Sequence, residues 1–250
     1  MNDRTLAERL VRLAGAIALE LRGGAAESKG AATDVVTEAD RRAEVAMVEL
    51  LAAEQPGDGV VGEEGAAVAG SERRWLLDPV DGTLNYARGL PAWCAAACVV
   101  DGAGGLACAV FDPVAGELFS AARGEGATVD GVALHVAGVP ALADAVVATF
   151  VDVRRRDPAI VRGTEGLLRC VGGLRAVGCG TLELAWVAAG RLDGWVQADV
   201  EPWDWHPGAL LVVEAGGVVG VSGRWLVAAR GSALARELLA CVEGAGSTAH

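Results

Sequence analysis

Near residue 58 the sequence changes texture, and that change dictates the kind of core the chain can build. Before it lie two helical segments. Residues 4–21 place Leu6, Leu10, Leu13, Ile17 and Leu21 on one stripe, and a second apolar run, Ala43 to Leu51, stops at Gln55-Pro56-Gly57. Between them "ESKGAATD" breaks the pattern with small residues. Thr37 and Asp40 have the T-x-x-D spacing of a capping box that opens the second helix. After residue 58, short apolar runs are punctuated by glycine: "GVVGEEG", "RWLLD", "CAAACVVD", "GLACAVFDP" and "GELFSAARG". They read as strands, several joined by hairpins, with another hairpin in "ARGEGATVDGVAL". Beyond residue 140, strands ("DAVVATF", "LRAV", "DGWVQA") alternate with helices ("TLELAWVAAGRL", "WDWHPGALLVVEAGG" and Ser232 to Val242). Such a pattern layers sheets with helices. It predicts an N-terminal lobe over 1–140 and a C-terminal lobe over 141–250 that share one site.

The core must be built from small side chains. Hydrophobic residues make up 52% of the chain, yet there are only three Phe, one Tyr and seven Trp. The formal charge of −12, with no clustered basic face, predicts no nucleic-acid partner. It also repels an anionic substrate at long range, so a phosphate-handling site would need local cations. Of the 21 basic residues only Lys29 is lysine, a compact point charge kept in an arginine-biased chain. The six cysteines show no C-x-x-C pair and read as buried reduced thiols, which predicts a cytoplasmic setting. Neither a leader-like apolar region nor a spanning segment is evident, so no membrane role is expected.

Three acidic clusters each follow an apolar stretch and sit at a break: Gly62-Glu63-Glu64, Asp78-Pro79-Val80-Asp81-Gly82-Thr83 and Glu201-Pro202-Trp203-Asp204. Each alone is ordinary: Asp-Pro and Asp-Gly make turns, Glu-Glu pairs sit in solvated loops, and an Asp opening a helix caps it. Together they predict a shared cleft. Asp78 would end a buried strand, Pro79 would stop the ladder, and Asp81 would bend to the same point. Thr83 would open a helical turn whose amides favour a phosphate oxygen. Several carboxylates crowd together ionised only around a counter-cation. Two aspartates and an intervening carbonyl are hard oxygen ligands suited to Mg²⁺, and a pair of such ions can clamp the oxygens of an in-line displacement. Asp204, at a helix start, suits the ligand arriving from the second lobe.

On these residues the chain resembles the inositol monophosphatase family, within the wider group that includes fructose-1,6-bisphosphatases and phosphoadenosine phosphatases. "KGAATDVVTEAD" is similar to the family's Lys-then-D-x-V-T-x-x-D segment and "VVGEEG" to its G-E-E motif. "WLLDPVDGTLNYARGLP" is similar to W-x-x-D-P-[IV]-D-G-T-x-N-[FY], and "PWDWHPGALLVVEAGG" to its W-D motif ending in E-A-G-G. The resemblance implies an α/β (layered α+β) fold, a five-layer αβαβα sandwich. It implies Mg²⁺-dependent, lithium-sensitive hydrolysis of a small phosphate monoester by a homodimer, with two or three ions. It also implies roles. Glu63, Asp78 and the carbonyl of Val80 would hold the first ion, and Asp78, Asp81 and Asp204 the second. Asp40 and Thr83, with Glu63, would act on the attacking water. The amides of Gly82 and Thr83 would bind phosphate. Asp81, Gly180, Gln197 and Asp204 would face the substrate. Lys29 and Asp34 would lie in a mobile loop over the site.

Two departures bear on substrate. The family often has G-S-A-A or G-T-A-A where this chain has Gly178-Cys179-Gly180-Thr181. Gln197 stands where inositol-preferring members carry an acidic residue, which removes a charge-assisted bond of about 1–2 kcal/mol. Asp199 or Glu201 could substitute. An inositol or other polyol phosphate is the leading substrate expectation; histidinol phosphate, fructose 1,6-bisphosphate and 3′-phosphoadenosine 5′-phosphate are the rivals. Trp203 and Trp205 read as wedges between the lobes, Asn85 and Tyr86 as supports of the turn, His206 as a packing residue, His135 and His250 as surface, and Arg154-Arg155-Arg156 as a solvated loop.

Overall fold

A computed structural model describes residues 1–31, 34–150 and 157–244, and for residues 29–31 and 34 the backbone alone. Helix α1 (Asp3–Glu20) is followed by a two-stranded hairpin, β1 (Ala26–Ala31) and β2 (Asp34–Thr37), and then α2 (Glu38–Glu54). The capping box is present: Thr37 and Asp40 satisfy each other's backbone at the start of α2. An eight-stranded sheet follows, from β3 (Gly59–Gly62), β4 (Ala67–Val68), β5 (Arg74–Asp81), β6 (Cys94–Asp101), β7 (Gly104–Asp112), β8 (Glu117–Ala122), β9 (Gly126–Val129) and β10 (Val132–Ala133). Their order is β10-β9-β8-β7-β6-β5-β3-β4, antiparallel except for the β3–β5 pair. A short helix, α3 (Thr83–Ala87), interrupts the path from β5 to β6.

The second half supplies β11 (Val146–Ala148), α4 (Pro158–Cys170), β12 (Gly173–Arg175), α5 (Gly180–Ala188), β13 (Gly194–Ala198), α6 (Pro202–Glu214), β14 (Val218–Ser222), β15 (Trp225–Ala229) and α7 (Ser232–Gly244). Its sheet runs β12-β11-β13-β15-β14. Helices α1 and α2 cover the outer face of the large sheet, α5 and α6 fill the space between the sheets, and α4 and α7 cover the outer face of the small one. That is the expected five-layer sandwich.

Period-2 alternation explains the layering. In β5 and β6, Trp75, Leu77, Ala95, Ala97 and Val99 point to α1 and α2, where they meet Leu6, Leu10, Met47 and Leu51. Their neighbours Leu76, Cys94, Ala96 and Cys98 point the other way, to Leu182, Leu184 and Leu210 of the middle helices. The small residues of "CAAAC" give a central strand buried on both faces without the aromatic bulk the sequence lacks. Trp205 of α6 stacks on Trp195 of β13, with centroids 5.6 Å apart, and Trp203 packs against the same middle core. The Trp195–Trp205 stack holds the middle layer against the small sheet, a contact inside the second half of the chain rather than the expected wedge between the lobes.

The structure differs from expectation in two further places. Asp78 does not end its strand: β5 continues to Asp81, and its register with β6 shifts between Asp78 and Asp81. Pro79 is thus absorbed in a bulge, a position that tolerates a missing donor. The segment carrying Lys29 and Asp34 is a β-hairpin rather than a loop, while those two side chains lie outside the described residues. Arg154–Arg156 and His250 also lie outside them.

Candidate active site

The bulge in β5 aims two carboxylates the same way. Asp78 accepts a hydrogen bond from the Val80 N–H at 3.0 Å, which folds the chain back at Pro79 and presents Asp81 beside it. Gly82 then turns with φ +87°, a conformation costly for any residue with a Cβ. A Cβ there would also lie 3.0 Å from the Ala92 carbonyl and 3.2 Å from the Cys179 side chain. Glycine is therefore required to swing the chain into α3.

Asp204 arrives from the first turn of α6, entered through Glu201 and Pro202. One oxygen each of Asp78, Asp81 and Asp204 lies within 4.8 Å of the others. Chain positions far apart thus converge where the end of β5 meets the first turns of α5 and α6. The Thr181 amide, at the start of α5, donates to Asp81 Oδ2 at 2.7 Å, and the Thr181 hydroxyl donates to the Asp204 carbonyl at 3.1 Å. Burial pushes the carboxyl of Asp78 well above the carboxylate range, and Glu63, Asp81 and Asp204 push it further. Asp204 is raised by burial, then by Asp81 and Glu63. Asp81 is raised by burial too, with the Thr181 amide pulling against it. The surrounding protein therefore opposes the charged form of all three, a cost that a bound cation would relieve.

Asp40 connects this cluster to α2. Its Oδ2 accepts from the Thr37 N–H at 2.9 Å and from the Thr37 hydroxyl, and its Oδ1 accepts from the Thr83 hydroxyl at 3.1 Å. The Thr83 hydroxyl has a second acceptor within reach, the Val80 carbonyl at 3.0 Å. Desolvation raises the Asp40 carboxyl and these hydrogen bonds oppose it. Glu63 stands half-buried at the end of β3, held there by its N–H bond to the Leu77 carbonyl at 3.1 Å.

Two carboxylates not anticipated from the sequence support the site. Glu44 is buried on α2, one turn after Asp40, and its two oxygens accept from the amides of Glu64 and Ala66, each at 2.9 Å. It clamps the Glu63-Glu64 turn to the helix that carries Asp40. Gly62 makes room, since a Cβ there would fall 2.0 Å from Glu44 Oε2. Glu44→Gln places an amide N–H₂ against one of those backbone donors. If the sites are as proposed below, the half-activating Mg²⁺ concentration rises about 10-fold while kcat at saturation is kept, as for outer-shell partners elsewhere; a Mg²⁺ titration of turnover checks it.

Glu183, fully buried on α5, accepts from the Val177 amide at 2.7 Å, and among the described residues its second oxygen has no well-formed partner. Burial pushes its pKa up to about 8. The fold keeps this proton while the unfolded chain releases it above the ordinary value of 4.5, so stability declines as pH rises from there to about 8. Thermal melts of Glu183→Gln should show a smaller decline than the parent over that interval; parallel curves would mean the carboxyl is ionised in the fold. Asn85 completes the scaffold: its Nδ2 donates to the carbonyls of Ala92 and Val177, both at 2.8 Å, tying the β5–β6 connection to the loop before α5. The Tyr86 hydroxyl donates to the Ala18 carbonyl of α1 at 2.8 Å.

Among the described residues none donates to the buried Oε1 of Gln197 on β13, which lies 3.6 Å from where a Cβ on Gly180 would stand. The space beside it is open because residue 180 has no side chain. Asp199 is engaged by Arg224, its Oδ1 3.1 Å from the Arg224 Nε, rather than turned to a ligand. His206 lines a separate surface cavity with Trp205, Arg123 and Glu214, away from the carboxylates.

The model described as the inositol monophosphatase family matches residues 3–243. An inositol-1-monophosphatase of Rhizobium meliloti is 38% identical over 194 residues, covering 74% of this chain and 71% of that protein. A Nus factor SuhB of Pseudomonas aeruginosa is 38% identical over 197 residues, covering 75% and 72%. The crystal structure of an extragenic suppressor protein suhB from Bartonella henselae superposes with a TM-score of 0.89 at 28% identity, over 96% of this chain and 97% of that one.

Proposed function

Because this chain belongs to the inositol monophosphatase family, we propose that it hydrolyses a small polyol monophosphate with Mg²⁺, working as a homodimer in a reducing, cytoplasmic setting. The observation that carries the proposal is the convergence of Asp78, Asp81 and Asp204, all raised by burial, and Asp78 and Asp204 raised further by neighbouring carboxylates. The donors fit the ion: they are carboxylate oxygens, with the Val80 carbonyl nearby, and no histidine joins the described cluster. Glu63, Asp78 and Val80 would hold one ion, and Asp78, Asp81 and Asp204 a second. Bound Mg²⁺ would neutralise the substrate's charge and acidify a water. The chain's own residues do the rest. Asp40 accepts a proton through the Thr83 hydroxyl. The amides of Gly82 and Thr83 bind phosphoryl oxygens. Lobes 1–140 and 141–250 each bring part of the site.

A panel of inositol 1-phosphate, histidinol phosphate, fructose 1,6-bisphosphate and 3′-phosphoadenosine 5′-phosphate, assayed with Mg²⁺ and after chelation, tests this. The polyol phosphate should turn over fastest and chelation should stop it. Turnover of only the nucleotide or histidinol phosphate overturns the substrate class. No turnover with cation binding intact would favour a non-enzymatic role. The unpartnered Gln197 oxygen supports a hydroxyl-bearing substrate, since a hydroxyl reaching past Gly180 supplies the missing donor. Gln197→Glu should lower KM for inositol 1-phosphate about 10-fold, the worth of a charge-assisted bond; an unchanged KM places the sugar elsewhere.

A further inference from the structure

Asp81 belongs to a second group of potential ligands. Its carboxylate and the thiols of Cys94 and Cys179 have donor atoms all within 4.8 Å of one another, and all three residues are buried. The two sulfurs are 3.6 Å apart, Cys94 Sγ is 4.0 Å from Asp81 Oδ2, and Cys179 Sγ is 3.3 Å from the Asp81 carbonyl. Tetrahedral coordination with metal–sulfur bonds of about 2.3 Å separates two thiolates by roughly 3.8 Å. The sulfurs thus already stand at nearly that spacing. Cys94 sits in β6 directly across from Asp81 of β5, and Cys179 caps α5. Three different elements therefore fix the arrangement, and no local loop need rearrange to make it.

We propose that Cys94, Cys179 and Asp81 form a binding site for a thiophilic divalent cation of the zinc and cadmium class, sharing Asp81 with the carboxylate cluster. Soft sulfur ligands select such ions where all-oxygen sites select magnesium. The buried sulfurs have a way in: Asp81 faces both groups, so a cation first caught by Asp78, Asp81 and Asp204 lies one carboxylate away from the thiols. On transfer the two thiols give their protons to solvent and no oxidation state changes. Occupation takes Asp81 from the carboxylates. The binding stands on the thiol geometry alone; its consequence, inhibition of turnover, rests on the phosphatase reading above.

The test is a Cd²⁺ titration of chelator-treated full-length protein, following the ultraviolet thiolate-to-cadmium charge-transfer band, in a Cys170→Ser/Cys241→Ser background that removes the two half-buried thiols. The band should saturate at one cadmium per chain. It should vanish in Cys94→Ala/Cys179→Ser, and in Cys179→Ser alone should the double variant fail to fold. At fixed Mg²⁺, the cadmium concentration that halves turnover should rise roughly 100-fold in the variant, the top of the range that outer-shell losses give. Inhibition by Ca²⁺, a hard ion, should not move. Absence of the band in the parent, or its persistence without Cys94 and Cys179, overturns the site. An intact band with equal cadmium inhibition of parent and variant overturns the sharing of Asp81. A protein with the band but no turnover on any substrate would keep the cation site and reject the phosphatase reading.

Discussion

Asp204→Asn should lose about 10³-fold in kcat, the upper end of what one transition-state electrostatic contact is worth, and yet should melt higher than the parent when no divalent ion is present. The two expectations have one origin. Burial, Asp81 and Glu63 all hold the Asp204 carboxyl above its ordinary range, so in the cation-free fold it is a source of repulsion. An isosteric amide removes the charge and leaves the helix start in place. The parent should gain instead from ligand linkage: Mg²⁺ at 100 times its Kd would add about 2.7 kcal/mol, or about 5–10 °C for a chain of this size. The variant should gain less. Melts with chelator and with Mg²⁺, beside an activity assay, separate the effects. Near-normal rates would remove Asp204 from the ion site, and a lower cation-free melting point would contradict the stored repulsion.

Asp40→Asn should lower kcat by about 10²–10⁴-fold, the usual weight of a general base, with little change in KM. Its fold should persist because the Thr83 hydroxyl keeps the Val80 carbonyl as an alternative acceptor, and an asparagine oxygen can still receive the Thr37 amide. The comparison with Thr83→Ala is informative. If the two residues act as one relay, the double variant should be no slower than the worse single one. Additive losses would mean that Asp40 and Thr83 act separately.

Motif spacing carried much of this site because its parts sit at a strand bulge and at strand and helix ends, where sequence breaks are visible. Asp78, Asp81 and Asp204 were legible as a group for that reason, and the capping box announced Asp40. Glu44 and Glu183 were not legible. Each lies inside a helical pattern, where a carboxylate ordinarily reads as solvated, and only the packing of α2 under the Glu63-Glu64 turn and of α5 under Val177 shows both to be buried. Helix α4 is not legible in the sequence because Gly163 and Gly166 dilute its periodicity; they sit on its buried face, where Gly163 leaves room for Trp225. The β14–β15 hairpin was hidden by glycine and small residues in "GGVVGVSGRWLVAA". Asp199 was readable as an acid near the sugar position but not as the partner of Arg224, which lies on another strand connection.

Asn85 and Thr181 stitch the β5 turn to elements made much later in the chain, and Asp204 itself comes later still. A polypeptide emerging from the ribosome can assemble its large sheet early, since that sheet is complete by Ala133. On the proposed reading it nevertheless remains a silent scaffold until α6 has been synthesised and docked. On that reading a nascent chain that holds only its large sheet cleaves no phosphate ester, because the third carboxylate has yet to reach the turn.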